Sequence, residues 1–157
     1  MKPEREIGEL LARDGLTLAT AESCTGGLIA HRITNVPGSS NYFERGFVVY
    51  SNRSKTELLG VEPGLIKRHG AVSSRVARAM AVGAKKASGA SFSLGVTGIA
   101  GPVTDESRKP VGLVYVAVCA VDGSVLTEKY NFKGTRLQIK KQSADAALRL
   151  LAKTLKS

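Results

Sequence analysis

The sequence predicts an α/β protein, a three-layer α/β/α sandwich around a mixed, mainly parallel sheet. Three observations lead there. Short apolar runs alternate with segments of helical periodicity, in the order α-β-α-β-α-α-α-β-β-β-α. Two of the runs end in Gly-rich turns, ATAESCTGG (19–27) and VTGIAGP (96–102). Nearer the C-terminus two runs flank Asp122-Gly123, a hairpin signal that adds an antiparallel portion to the sheet.

Each element has a local reason. Ile7, Leu10 and Leu11 recur at helical spacing within residues 3–13, and Gly15 stops that helix. Residues 16–20 read as a short buried strand. Leu28, Ile29 and Ile33 mark a helix that ends before Pro37-Gly38. The loop PGSSNYFER (37–45) leads to a second strand at 46–50. Residues 52–59 form a short helix, capped by Ser51 or Asn52 and closed by Gly60. A helical turn follows at 63–67. Ser73 then caps a helix running to about Ser88, with Val76, Met80 and Ala87 on one face. Residues 91–96 are a strand, and 111–121 with 125–132 form the hairpin. Thr135 and Gln138 make a capping box for the last helix, whose apolar face is Leu137, Ala144, Leu148, Leu151 and Leu155.

At 157 residues the chain predicts one domain spanning 1–157, large enough to bury roughly 70% of its unfolded surface without a disulfide or metal staple. No apolar run approaches the ~20 residues of a membrane span, and the charged start MKPEREIGELL lacks a signal-peptide core. These features predict a cytoplasmic protein with no membrane partner, whose Cys24 and Cys119 are free thiols. The net charge of +10 favours anionic partners. Its Lys and Arg residues are scattered, and four Tyr, four Phe and no Trp leave few stacking platforms, which argues against a nucleic-acid partner. Two Cys and two His lie far apart in sequence, so no metal site and no cofactor motif is expected.

The chemistry concentrates in three places. Ser23 lies where a strand hands over to a helix, near backbone N–H groups that can hold an anion, and Gly26 and Gly27 admit a ligand close to the backbone. On residue type alone, a polar turn with an N-cap is the commoner meaning of such a cluster. Cys24 is a second candidate nucleophile beside it, without an evident histidine partner. In YSNRSK (50–55), Tyr50 ends a strand and Lys55 sits in the first turn of the next helix. The helix dipole disfavours a cation there, which lowers the lysine pKa and suits a general base; the bland alternative is a surface lysine. The third place is VTGIAGP, a strand-end loop of the kind that lines ligand crevices, or simply a tight turn.

Taken in order, AESCTGG (21–27), VPGSS (36–40), FERGFVVYSNRSK (43–55), LGV (59–61), HGAVS (69–73), TGIAGP (97–102) and KPVG (109–112) resemble the CinA C-terminal domain family over nearly the whole chain. The resemblance implies a bacterial nicotinamide-nucleotide amidohydrolase, of the group first named competence/damage-inducible proteins. Such an enzyme hydrolyses nicotinamide mononucleotide to nicotinate mononucleotide and ammonia. It further implies a stand-alone form of a domain that many relatives carry behind another, and a homodimer as its assembly. By motif, Ser23 becomes the nucleophile, with Tyr50 and Lys55 as its activating partners. Gly38, Ser39, Ser40 and the start of the Ser73 helix are the expected donors to the substrate phosphate, with Arg136 as its charge partner. Glu22, Thr25, Gly26, Asn52, Thr97 and Gly98 complete the expected substrate-binding set.

Two departures from the family pattern stand out. The family reads GPxGG after TGIA, where this chain has GPVTDES and loses two glycines. Before the last helix the family often has Gly-Asp-Arg, here Gly134-Thr135-Arg136. Neither touches Ser23, Tyr50 or Lys55. A different small amide as substrate, and a non-catalytic module linked to competence or DNA damage, are the alternatives to the deamidase reading.

Overall fold

The structure is a computed structural model describing residues 1–157. Eleven regular elements follow one another: α1 (Pro3–Asp14), β1 (Leu18–Glu22), α2 (Leu28–Thr34), β2 (Phe43–Val48), α3 (Asn52–Leu59), α4 (Pro63–His69), α5 (Ser74–Ser88), β3 (Phe92–Gly98), β4 (Leu113–Cys119), β5 (Val125–Asn131) and α6 (Arg136–Lys156). A 3-10 turn at Ser39–Asn41 precedes β2. The strands form one sheet in the order β2-β1-β3-β4-β5. β1 runs parallel to both neighbours, and β3, β4 and β5 pair antiparallel. The fold is therefore the three-layer α/β sandwich with a mixed sheet that the element order predicts. Two parallel and two antiparallel pairings make the sheet evenly divided rather than mainly parallel, because the C-terminal hairpin pairs onto β3.

The two faces of the sheet bury different helices. On one, Ile7 and Leu11 of α1, Ile33 of α2 and Leu148 and Leu151 of α6 pack onto Leu18, Leu94 and Val116. On the other, Leu59 of α3, Ile66 of α4 and Met80 and Ala84 of α5 pack around Ala21 and Val49. Central strands buried on both faces carry near-continuous small and β-branched residues, as β1, β3 and β4 do.

Boundaries differ from the sequence reading where polarity misleads. β1 begins and ends two residues later than expected, because the buried Glu22 extends the strand. β2 begins three residues earlier than expected, at Phe43, and includes Glu44 and Arg45; as an edge strand it tolerates exposed charges. Ser51, rather than Asn52, caps α3, its side chain accepting from the Ser54 amide. Two positions assigned to apolar faces point outward instead. Leu137 is 68% exposed in the first turn of α6, and Ala87 lies on the solvent side of α5, whose buried face is Val76, Ala77, Met80, Ala81, Gly83 and Ala84.

α5 approaches the sheet closely at one glycine. A Cβ on Gly95 of β3 would lie 2.5 Å from the Ala77 oxygen and 2.8 Å from the Ala81 nitrogen. Gly95→Ala is expected to lower stability by about 1–3 kcal/mol through backbone displacement. Urea denaturation of the two proteins measures it.

Candidate active site

β1 lies between β2 and β3, so successive crossovers leave it to opposite sides and the sheet order switches there. Ligands in open α/β sheets bind at the carboxyl ends of strands at such a switch. A cleft of about 280 Å³ occupies that position and is lined by Ser23, Tyr50, Lys55, Thr97, Asp105 and Arg136, among others.

Ser23 follows β1 directly. Its amide donates to the Val96 oxygen at 3.0 Å, fixing the turn against β3. Lys55 enters from α3 and is 1% exposed. Its Nζ makes three contacts: Ser23 Oγ at 3.0 Å, the Val49 oxygen at 2.9 Å and the Tyr50 oxygen at 3.3 Å. No carboxylate pairs with it. Burial pushes its pKa down to about 8. The direction matches the sequence expectation, but desolvation rather than the helix dipole is the cause. An ammonium has three donors, and all three are used. On losing one proton, two N–H bonds keep the carbonyls and the lone pair faces Ser23 Oγ. That is the arrangement a serine-activating base requires.

Glu22 and Thr25, expected on substrate, face inward instead. Thr25 Oγ1 donates to Glu22 Oε1 at 2.6 Å. The Gly27 and Ile29 amides donate to the same oxygen, and Ala30 donates to Oε2. The carboxylate thus takes up the amides at the start of α2 that the sequence reading left for an anion. The amides of Cys24 and Thr25, immediately after Ser23, have no acceptor in the chain, so the donors available to an anion lie in the turn and not in the helix. Cys24 itself is buried, and desolvation pushes its thiol up to about 12. At neutral pH it is a thiol and not a nucleophile.

Tyr50 is 61% exposed and divides its roles. Its backbone oxygen accepts from Lys55, whereas its hydroxyl accepts from Arg136 Nη2 at 2.9 Å. The phenol hydrogen-bonds neither Ser23 nor Lys55, and of the two expected partners only Lys55 contacts Ser23 through its side chain. Arg136 Nη1 also donates to the Gly101 oxygen at 2.5 Å. One guanidinium therefore ties the start of α6 to the loop after β3 and the chain after β2, at the rim of the cleft.

Asn52, Thr97 and Gly98 line the cleft as expected. Thr97 Oγ1 donates to the Ala71 oxygen, which holds the α4–α5 link against the sheet. Ser73 adjoins the lining residue Val72, and its hydroxyl is spent on the Val76 amide and the Gly70 oxygen. Gly26 is exposed on the outer side of the turn. Gly38, Ser39 and Ser40 are not brought to the cleft: they precede β2, at the opposite end of a six-residue strand roughly 20 Å long. The sequence reading placed Gly101 in a crevice-lining loop without a role for its carbonyl, and missed Asp105. The departure at GPVTDES was the signal for Asp105; the carbonyl of Gly101 has no sequence signature. No cluster of three His, Cys, Asp or Glu side chains converges to offer a set of metal donors. No helix is long and apolar enough to cross a membrane.

Comparison with known proteins gives consistent results. The family model of the CinA C-terminal domain matches residues 1–155. A CinA-like protein of Geobacter sp. strain M21 is 58% identical over 131 residues, 83% of this chain and 31% of that protein. A CinA-like protein of Citrifermentans bemidjiense is 54% identical over 147 residues, 93% of this chain and 35% of its own length. The chain thus spans about a third of the curated relatives it matches. Among solved structures, a competence/damage inducible protein from Agrobacterium tumefaciens superposes with a TM-score of 0.92 at 40% identity, covering 100% of this chain and 97% of that one. A CinA superfamily protein from Klebsiella pneumoniae gives 0.95 at 28% identity, covering 98% and 96%.

Glu22 should prove a stability residue. Glu22→Gln turns an NH2 group toward backbone donors and is expected to cost about 1–3 kcal/mol in chemical denaturation, because a buried donor loses its acceptor.

Proposed function

We propose that this chain, which belongs to the CinA C-terminal domain family, is a serine amidohydrolase that deamidates nicotinamide mononucleotide. The observation that carries the reading is the 3.0 Å contact between Ser23 Oγ and the buried, carboxylate-free Lys55 Nζ. A lysine held near a pKa of about 8 is neutral in about a tenth of molecules at pH 7, enough to act as a base.

In this reading neutral Lys55 takes the Ser23 proton as Oγ attacks the carboxamide carbon. The carbonyl oxygen becomes an oxyanion, held by the Cys24 and Thr25 amides. Lys55 then returns the proton to the departing nitrogen. The C–N bond breaks, ammonia leaves, and a nicotinoyl ester remains on Ser23. Water, deprotonated by the same lysine, attacks the ester carbon and releases nicotinate mononucleotide and the free serine. No redox step is involved.

Arg136 supplies the charge for the phosphate. Its acceptors, the Gly101 oxygen and the Tyr50 hydroxyl, are both neutral, so its charge is uncompensated at the rim of the cleft. Tyr50 positions the guanidinium and takes no proton. The phosphate donors expected at Gly38–Ser40 play no part in this reading.

Ammonia release from nicotinamide mononucleotide tests it. Ser23→Ala is expected to fall to background, and Lys55→Ala to lose about 10²–10⁴-fold in kcat. A Ser23→Ala rate equal to wild type would sink the reading. The wild-type rate should climb with pH through about 8 and flatten above it, since the protonated lysine is inactive and the neutral form is the base. Lys55→Arg should fail to restore activity, because a guanidinium keeps its proton throughout this range.

Arg136→Ala should raise KM for nicotinamide mononucleotide about tenfold or more, and leave the phosphate-free riboside little changed. Steady-state kinetics on the two substrates distinguishes this from a general loss of activity.

A further inference from the structure

The deamidation chemistry leaves one charged side chain in the cleft unused. Asp105 lines the same cavity as Ser23, Lys55 and Arg136. It lies in the segment where Thr104 and Asp105 replace the paired glycines of the family pattern. Its Oδ1 accepts from the Ser107 amide at 2.9 Å and from the Ser107 hydroxyl, a local turn that fixes the carboxylate's direction. Its Oδ2 accepts no hydrogen bond, and no cationic side chain forms an ion pair with Asp105. Lys109, four residues on, directs its Nζ to the His69 and Val72 oxygens instead. Arg136 directs one bond each from Nη1 and Nη2 to Gly101 and Tyr50, and none to Asp105. One small cleft thus holds a carboxylate that pairs with neither of the two basic side chains lining it, Lys55 and Arg136.

The geometry points to Asp105 as the residue that reads the positive charge of the substrate's pyridinium ring, making the cleft selective for N-alkylated pyridinium carboxamides over their neutral dihydropyridine counterparts. This inference rests on the amidohydrolase reading above. With the carboxamide at Ser23 and the phosphate at Arg136, the ring lies between them. It is the only cationic part of nicotinamide mononucleotide. A carboxylate fixed at the rim attracts it and gains nothing from an uncharged ring. The ribose hydroxyls are common to both ring states, so they cannot produce this discrimination.

Reduced nicotinamide mononucleotide has the same carboxamide, ribose and phosphate on a neutral ring, which makes it the probe. Both nucleotides are titrated calorimetrically into Ser23→Ala protein, so that turnover does not intervene, and then into Ser23→Ala/Asp105→Asn. Asparagine retains an oxygen for Ser107, which preserves the turn. Affinity for the oxidised nucleotide is expected to fall about threefold to tenfold with Asp105→Asn, and affinity for the reduced one to stay within about twofold. Asp105→Glu should keep the preference for the oxidised ring. Equal losses for both nucleotides, or no loss for either, would overturn the role of Asp105 and leave the hydrolase standing. Failure of both nucleotides to bind folded Ser23→Ala protein would overturn the amidohydrolase reading, and this inference with it.

Discussion

Lys55 Nζ is enclosed by one hydroxyl and two carbonyl oxygens, and the cost of burying that ammonium without a counter-ion is the constraint from which the site follows. Such a burial costs several kcal/mol unless hydrogen bonds replace water. The chain supplies them through its local geometry. β2 stops at Val48, and the Val49 amide is caught by the Glu22 oxygen at 2.8 Å, so the strand's last pairing fixes where it turns. Ser51 then caps α3 and sets its start. Helical side chains lean toward the helix N-terminus, so Lys55 reaches back to the carbonyls of Val49 and Tyr50. What the acceptors do not offset appears as a lowered pKa, which leaves the lysine suited to act as a base.

Glu22 answers the complementary problem one residue before Ser23. A buried carboxylate is as costly as a buried ammonium, yet it does not pair with Lys55. Four donors in and just after the turn satisfy it. An ion pair between the two groups would hold Lys55 protonated and remove its base character. The fold keeps the charges apart by giving the anion to the start of α2, where the helix dipole also favours it. The same arrangement leaves the Cys24 and Thr25 amides free beside Ser23.

The sequence made the fold legible because periodicity and turn chemistry agreed with the tertiary packing. The order of elements and the hairpin at Asp122-Gly123 followed from local signals. The errors fall where a residue's polarity hides its burial or exposure. Glu22 looked like part of the turn beyond the strand, and the charges of β2 looked like a loop. Ser23 and Lys55 were readable from their motifs, and their 3.0 Å contact agrees with the pairing expected between them. The reach of Tyr50 to Arg136 was not, since it depends on where α6 begins relative to a strand 86 positions earlier in sequence. The Gly38–Ser40 turn attracted a phosphate assignment because it offers backbone amides and hydroxyls within a motif that resembles the family. Only the sheet order shows that it lies at the other end of β2.

The site divides into a floor and a rim with different physical demands. The floor, Ser23 with Lys55 and Glu22, is buried, and every polar group named there has its partners within three strand ends and the helices that follow them. A substitution there leaves a charge or donor without a partner, which limits what the floor can vary. The rim is built from exposed groups on segments 101–109 and the first turn of α6, joined by Arg136 through neutral acceptors. Water can compensate changes at such positions, so glycines can give way to Thr104 and Asp105 without disturbing the lysine below. Variation in the lining of the cleft is therefore expected at the rim, while the contact between Ser23 and Lys55 stays tied to the sheet.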